Sequence, residues 1–268
     1  MITVAMPSYG NPKETWFTVQ SLRLYQDVKH VEILVVDNKG DDAVKKVCRD
    51  CKIRYELSNK VRGTGPVRNA AFEMASEPFV LVMDSHVLLY PDAIKKLKTW
   101  LKDHWEDAVN LIHGPIVMSS LNSSYTHYEN RWRGQMWGIW PKAQKVRELP
   151  TEPIEIEMHG CGLFGCRKDS WLGFHPDCKG FDGVEGVIHE KYRKYGRKVL
   201  CLPFLKWVHK FRGKGEAIPY PNIVEERVRN FLLGFKEIGM NPAPIFKHFG
   251  SEMVSVAMSR LNNENRNH

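Results

Sequence analysis

The chain has 268 residues, a formal net charge of +8 and a mean hydropathy of −0.40. Its 43% hydrophobic and 26% charged content is that of a globular enzyme, one large α/β domain or two small ones, and excludes a disordered or membrane-embedded chain. The excess of Lys and Arg favours acidic partners (a nucleotide, a nucleic acid or an anionic membrane surface), although lysines such as Lys95, Lys96 and Lys98 covering a helix face would give the same balance.

The N-terminal segment Met1-Ile2-Thr3-Val4-Ala5-Met6-Pro7 has no basic region ahead of its apolar stretch. It reads as a first strand over 2–6 rather than a secretory signal, and no run reaches the length of a transmembrane helix, so a cytoplasmic protein is expected. A helix follows over Pro12–Tyr25, on the spacing of Trp16, Val19 and Leu22, then a strand over 31–36 that ends in Asp37-Asn38. A helix over 41–50, a short strand over 52–56 and, after a Gly-rich turn, a helix over 65–74 continue the alternation. Cys48 and Cys51 form one C-x-x-C without a second pair, so with Cys161, Cys166, Cys178 and Cys201 they are expected as buried free thiols rather than a closed zinc site.

A wholly apolar strand, Phe79–Met83, and an amphipathic helix over 92–103 with Ile94, Leu97 and Leu101 on one face complete this half. Regular strand–helix alternation implies a parallel, doubly wound sheet, which binds ligands beyond the carboxyl ends of its strands. Asp37 and Asp84 stand at such ends. From about 111 to 171 the pattern changes. Residues 131–140 are rich in Trp and Arg and read either as an acceptor surface or as a buried helix. Residues 152–158 alternate like a strand, 184–195 read as a helix, and 197–202 as a last strand before Trp207-Val208-His209. The tail, from 222 to about 261, reads as two helices broken at Asn241-Pro242-Ala243-Pro244, with a frayed end over 262–268.

The most informative triplet is Asp84-Ser85-His86, at the end of the Phe79–Met83 strand. Residues i and i+2 of an extended segment face the same way. A carboxylate and an imidazole aimed together suit Mn²⁺ or Zn²⁺, and such an ion could hold a diphosphate. His209 is a candidate third ligand, although spacing alone leaves it an ordinary loop histidine. Asp84 could likewise simply cap the next turn.

Taken in order, the motifs of residues 1–212 resemble those of GT-A fold glycosyltransferases, most closely the family 2 and polypeptide N-acetylgalactosaminyltransferase branches. Met6-Pro7-Ser8-Tyr9 is similar to the end of the first nucleotide-binding strand, and Val35-Val36-Asp37-Asn38 to the strand whose acid binds the base. Arg62-Gly63 and Arg68-Asn69-Ala70-Ala71 resemble the Gly-rich turn and helix beside the nucleotide. Met83-Asp84-Ser85-His86 stands where the Asp-x-Asp metal motif is found, in the Asp-x-His form. Gly162-Leu163-Phe164, with Arg167, Asp169 and Trp171, resembles the Gly-Gly-Leu-Phe segment. Trp207-Val208-His209-Lys210-Phe211-Arg212 resembles the His-x-Phe-Arg segment whose histidine completes the metal site. The Trp-Gly-Gly-Glu-Asn segment is missing; Gly180-Phe181-Asp182-Gly183-Val184-Glu185 stands there and looks more like bacterial family 2 relatives.

The resemblance implies an α/β GT-A (Rossmann-like) fold: a mostly parallel central sheet flanked by helices, with a C-terminal helical extension. It implies a catalytic domain over 1–212, its nucleotide-binding half about 1–110 and its acceptor half about 111–212, with the extension over 213–268 packed on it. The implied activity is transfer of a sugar from a nucleoside-diphosphate sugar, UDP favoured, with a divalent cation, Mn²⁺ before Mg²⁺, on Asp84, His86 and His209. Pro7, Ser8, Tyr9, Asp37, Arg62, Gly63, Arg68, Asp84, Ser85, Gly162, Leu163 and Arg212 are the implied donor contacts. In that setting a cation would stabilise the departing phosphate. Arg62, Lys210 and Arg212 could add charge-assisted bonds, and Trp207 and Phe211 could exclude water.

An inverting enzyme would need a base, for which Asp182 and Glu185 are the candidates. A helix N-terminus would keep both ionised, although a helix cap and a first-turn carboxylate are their plain readings. A retaining enzyme would use the donor phosphate instead. The acceptor is then a nucleic acid, such as a modified base of bacteriophage DNA presented flipped or single-stranded, or else a cell-surface glycan or lipid-linked saccharide with the tail helices as membrane anchor. A non-catalytic nucleotide-sugar or nucleic-acid binding module is disfavoured by the intact Asp84-x-His86 pair. A two-metal phosphatase or nucleotidyltransferase is disfavoured by the single acid at that strand end.

Overall fold

A computed structural model of the chain describes residues 2–211, 220 and 222–265. The first apolar runs form strands β1 (Ile2–Ser8), β2 (Val31–Asp37), β3 (Arg54–Leu57) and β4 (Phe79–Met83). Helices α1 (Pro12–Tyr25), α2 (Asp42–Asp50) and α3 (Thr64–Met74) join them. β1 pairs in parallel with β2 and β4, and β2 with β3, so the four carboxyl ends share one edge. Asp41 caps α2, its carboxylate accepting from the backbone N–H of Ala43 at 2.9 Å and of Val44 at 3.4 Å. That satisfies two of the donors a helix start leaves open.

After β4 the chain alternates between two sheets. It forms β5 (Val87–Leu89), α4 (Ala93–Asp103), β6 (Leu111–His113), β7 (Ile116–Val117) and β8 (Ser123–Tyr125), then the hairpin β9 (Glu129–Arg133) and β10 (Met136–Ile139). β11 (Gln144–Lys145), β12 (Ile154–Glu155), β13 (Leu163–Arg167), α5 (Glu185–Lys194), β14 (Val199–Cys201) and β15 (Trp207–His209) follow. The large sheet has the order β12-β14-β6-β13-β4-β1-β2-β3, and the smaller one β11-β8-β7-β15-β5. β13 is the antiparallel insert, running against both β4 and β6.

All five residues of β4 are buried because apolar layers cover both faces of the sheet. Leu81 and Met83 pack in one layer with Val19, Leu22 and Leu97; Val80 and Val82 pack in the other with Val67, Ala71 and Ile188. The tail forms α6 (Val224–Glu237), α7 (Ala243–Phe249) and α8 (Ser251–Asn265), whose Phe231, Phe235, Ile245 and Val254 share a third cluster with Trp137. All six cysteines are buried free thiols. Among the described residues no helix is long and apolar enough to cross a membrane.

Four expectations change. Residues 197–202 supply β14, which is not the last strand, because 207–209 pair with β5 and β7. Within 152–158 only Ile154–Glu155 pairs as a strand; Met158 makes an isolated bridge to Tyr128. The tail holds three helices, since Gly250 at φ +81° ends α7 within the expected second one. Residues 131–140 form a hairpin rather than a helix, with Gly134 at φ +58° in its turn. Trp132 and Trp137 stack at 5.4 Å and pack on Phe231 and Phe235, so these tryptophans are core.

Phe164 of β13 is fully buried between Phe72 and Trp171. Phe164→Ala should cost about 3–5 kcal/mol, read as a lower urea midpoint at unchanged m-value; a loss under about 1 kcal/mol would contradict this packing.

Candidate active site

β4 stops at Met83, and the next residues turn the chain out of the large sheet into the small one. The Asp84 N–H donates to Gly162 O at 2.9 Å, and the Val87 N–H closes a turn on Asp84 O at 3.1 Å. Asp84 and His86 thus meet through a tight turn, not through the two-residue repeat of a strand. β15 pairs antiparallel with β5, with His209 opposite Val87, and the Lys210 N–H donates to His86 O at 3.1 Å. This register brings His209 Nε2 to 3.0 Å from His86 Nε2 and 3.9 Å from Asp84 Oδ2, across 123 residues of chain between the histidines.

One donor atom from each of the three side chains lies within 4.8 Å of the others. Neighbouring donors at roughly 2.1 Å from one cation stand about 3 Å apart, so the spacing fits a single ion. One oxygen and two imidazole nitrogens are a donor set for Mn²⁺ or Zn²⁺. Asn11, which the sequence reading missed, buttresses the corner. Its Nδ2 donates to Ser85 Oγ at 2.6 Å, while its Oδ1 accepts from Ser8 Oγ at 3.0 Å and the Tyr9 N–H at 2.9 Å. The end of β1 and the Asp84–His86 turn are therefore one hydrogen-bonded unit.

The turn floors a cleft of about 520 Å³. Of the residues singled out from sequence, Pro7, Ser8, Tyr9, Arg68, Asp84, Ser85, His86, Gly162, Asp182, Glu185 and His209 line it. Gly162 must lack a side chain, since a Cβ there would stand 2.8 Å from the Trp207 ring. Leu163, Arg62, Gly63 and Asp37 do not line the cleft. Leu163 is buried in the core, and the Gly63 N–H donates to Asn38 Oδ1 at 2.8 Å. The Asp37 carboxylate is fully buried and accepts four bonds, from the N–H groups of Lys39, Gly40 and Asp41 and from Tyr55 Oη. It organises the β2–α2 loop. Arg212 lies outside the described residues.

Tyr128, Met136 and Tyr220 are further lining residues that no motif marked. The Tyr220 ring lies against that of Tyr9, tilted by 33° with centroids 4.1 Å apart, and its hydroxyl donates to Asn38 Oδ1 at 3.0 Å. Alternating hydrophobicity could have placed Met136 on a hairpin; nothing local to Tyr220 points to the cleft.

Arg68 is the buried cation of the site. Its Nη2 lies 3.4 Å from Asp84 Oδ1 and its Nη1 3.6 Å from Glu185 Oε1, while Nε and Nη1 have no hydrogen-bond partner. Burial opposes its charge, but Asp84, Glu185 and Asp182 outweigh burial and raise its pKa. Asp182 and Glu185 form a hydrogen-bonded carboxyl pair with divided protonation. Burial, and then the Glu185 charge, push Asp182 well above the ordinary range. Burial also acts against Glu185, but the Asp182 hydrogen bond and Arg68 hold it below its ordinary value. The expectation that a helix N-terminus keeps both ionised therefore fails for Asp182. That residue precedes the helix at φ +72° and does not cap it; Val184 occupies the N-cap position.

A family model, Glycosyl transferase family 2, matches residues 3–171. Among solved structures, GalNAc-T7 with UDP, GalNAc and Mn²⁺ superposes with a TM-score of 0.67 at 15% identity, over 88% of this chain and 47% of that one. The mannosyltransferase PcManGT from Pyrobaculum calidifontis, in complex with GDP-Man and Mn²⁺, gives 0.56 at 16% identity, over 99% and 75%. S. aureus TarS gives 0.53 at 16% identity, over 96% and 43%. The chain thus spans less than half the length of GalNAc-T7 and of TarS. At these identities the likeness is one of fold. No curated protein sequence matches the chain.

A raised carboxyl pKa means that folding takes up a proton, so the stability it brings is complete at acid pH and lost as pH rises through the folded value. Asp182→Asn mimics the protonated acid. It should melt a few degrees above the wild type at pH 8 and converge with it toward pH 4; calorimetry showing the reverse order would contradict the assignment.

Proposed function

Because the chain belongs to glycosyl transferase family 2, we propose that it is a metal-dependent enzyme moving a sugar from a nucleoside-diphosphate sugar, UDP favoured, to an acceptor hydroxyl. The observation that carries this reading is the meeting of Asp84, His86 and His209 on the floor of the cleft that also holds Tyr9 and Arg68. The Mn²⁺ and sugar nucleotides in the GalNAc-T7 and PcManGT complexes support it. Mn²⁺ is favoured over Mg²⁺ because two of the three donors are imidazoles.

An ion held by these three residues would supply Lewis acidity to the departing diphosphate. Arg68, with two buried nitrogens lacking hydrogen-bond partners, donates to the same phosphates. Glu185 stays ionised while Asp182 keeps its proton, so in an inverting reaction Glu185 accepts the hydroxyl proton and Asp182 orients it. Trp207, Phe211 and Tyr220 wall the cleft against water, which would otherwise hydrolyse the donor. Residues 1–212 form the catalytic domain in this reading, with 213–268 as its extension, of which α6 braces the site: Asn230 Nδ2 donates to Asp182 O at 2.9 Å, and Arg227 lies 3.5 Å from the Asp182 carboxylate.

The acceptor that fits best is a hydroxyl on a base of a nucleic acid, such as modified bacteriophage DNA. The hairpin that puts Met136 into the cleft also exposes Arg131 and Arg133, and exposed Lys142, Lys145 and Arg147 follow it. Exposed cations along the segment that carries Met136 suit a phosphate backbone that delivers a flat base, with Arg131 and Lys145 already facing Glu129 and Glu148. The alternative, a lipid-linked or cell-surface glycan, needs the tail helices as an anchor, and most of their large apolar residues pack inward, leaving Val256 and Met258 exposed.

With Mn²⁺ and a panel of UDP-, GDP- and TDP-sugars, the wild type should release nucleotide and melt higher, and Asp84→Asn should abolish both effects. No response to any donor, with or without metal, would sink the transferase reading. Acceptor binding to single-stranded DNA should weaken about tenfold or more between 50 and 200 mM salt; salt-independent binding would favour a neutral glycan.

A further inference from the structure

Tyr128 lines the cleft but has no part in the mechanism above. It is 7% exposed and stands immediately before the β9–β10 hairpin, where its N–H donates to Met158 O at 2.7 Å. The ring is held on several sides. It stacks on His159 with centroids 5.4 Å apart and 22° between the planes, and it lies against Trp140 at 5.5 Å. Two glycines from separate segments make room for it. The pairing of β10 with β9 shifts register between Trp137 and Ile139, and Gly138 sits in that bulge at φ +103°. A Cβ on Gly138 would stand 3.0 Å from Tyr128 Cδ2, and one on Gly160 would stand 2.6 Å from Tyr128 Oη. The phenol is thus seated where neither neighbour can carry a side chain, and its packing fixes the direction of its hydroxyl.

That hydroxyl makes no bond within the fold. Among the described residues nothing donates to Tyr128 Oη or accepts from it. The other buried tyrosines of the described chain both use theirs. Tyr192 Oη donates to Cys166 Sγ at 3.2 Å, and Tyr220 Oη donates to Asn38 Oδ1 at 3.0 Å. Such pairing is the rule for a buried phenol. Tyr128 departs from it at a place where the hydroxyl opens on the cleft.

The residue stands on the carboxylate side of that cleft. Burial raises its pKa and the neighbouring Glu185 carboxylate raises it further, so the phenol keeps its proton. Met136, from the same hairpin, lines the cleft with it. We infer that Tyr128 is an acceptor-binding residue, whose hydroxyl hydrogen-bonds a second polar group of the acceptor beside the hydroxyl that Glu185 deprotonates. The inference rests on the proposed transfer reaction. A phenol O–H both donates and accepts, so it serves either kind of polar atom at that point. An acceptor without one leaves the phenol unpaired and is disfavoured. Water offers no second group, so the contact favours transfer over hydrolysis of the donor.

Tyr128→Phe removes the one atom in question and keeps the ring. Without ligands, the full-length variant should melt within about 1 °C of the wild type, because no bond of the fold is lost. Transfer is then followed from the donor that the wild type uses to an oligonucleotide bearing a hydroxymethylated base. The kcat/KM for the oligonucleotide should fall about tenfold or more. The KM for the donor, the affinity for Mn²⁺ and nucleoside diphosphate, and the hydrolysis of the donor by water should each stay within about threefold. A larger fall in melting temperature would place the partner of the hydroxyl inside the fold and overturn the inference. An unchanged kcat/KM for the oligonucleotide, or a loss that appears in the donor KM instead, would overturn it equally. An active wild type beside an unchanged variant refutes the contact alone. A wild type that releases nucleotide from no donor refutes the proposed function, and the acceptor contact with it.

Discussion

The constraint on which the rest of this molecule depends is the corner at Asp84–His86, where one strand ends in the large sheet and the next begins in the small one. The corner is held from three sides: by the Asp84 N–H on Gly162 O, by Asn11 on Ser85, and by β15 lying against β5. Each contact comes from a segment remote in sequence. The ligand set is therefore a product of sheet register, and a one-residue slip of β15 would turn His209 to the other face.

The same corner gathers opposite charges. Arg68 reaches both Asp84 and Glu185 from within α3, so the cation that would meet phosphate also ties the metal side of the cleft to its carboxylate side. A buried ion pair of this kind adds little net stability, because desolvation offsets much of the attraction. Its consequence is electrostatic: burial beside Glu185 raises the Asp182 pKa, Arg68 helps to lower that of Glu185, and the guanidinium stays charged beside Asp84 and Glu185. In the proposed reaction, anion binding and hydroxyl activation would be coupled through this one side chain.

The sheet half was legible because its signals are local. Apolar runs of strand length, the spacing of Trp16, Val19 and Leu22, and the all-apolar Phe79–Met83 identify β1 to β4 and the helices between them to within a residue or two. What was not legible depends on partners. The pairing of 207–209, the hairpin at Gly134 and the commitment of the Asp37 carboxylate to its own loop follow from contacts that spacing does not encode. The protonation of Asp182 is of the same kind, since it reflects burial beside a second acid rather than its place before a helix. Asp84 and His86 could be picked out singly by residue type and position, and Arg68 by the family resemblance; Asn11 and Tyr220 join the site only once β1, the corner and the tail are brought together.

In the proposed site two histidines 123 residues apart hold one metal ion with Asp84. Electron spin-echo spectroscopy of Mn²⁺ bound to ¹⁵N-histidine-labelled protein in the presence of nucleoside diphosphate tests it directly. The account predicts couplings to two histidine nitrogens, one of which disappears in His209→Ala. Mn²⁺ bound without histidine coupling, or a spectrum that His209→Ala leaves unchanged, would contradict it.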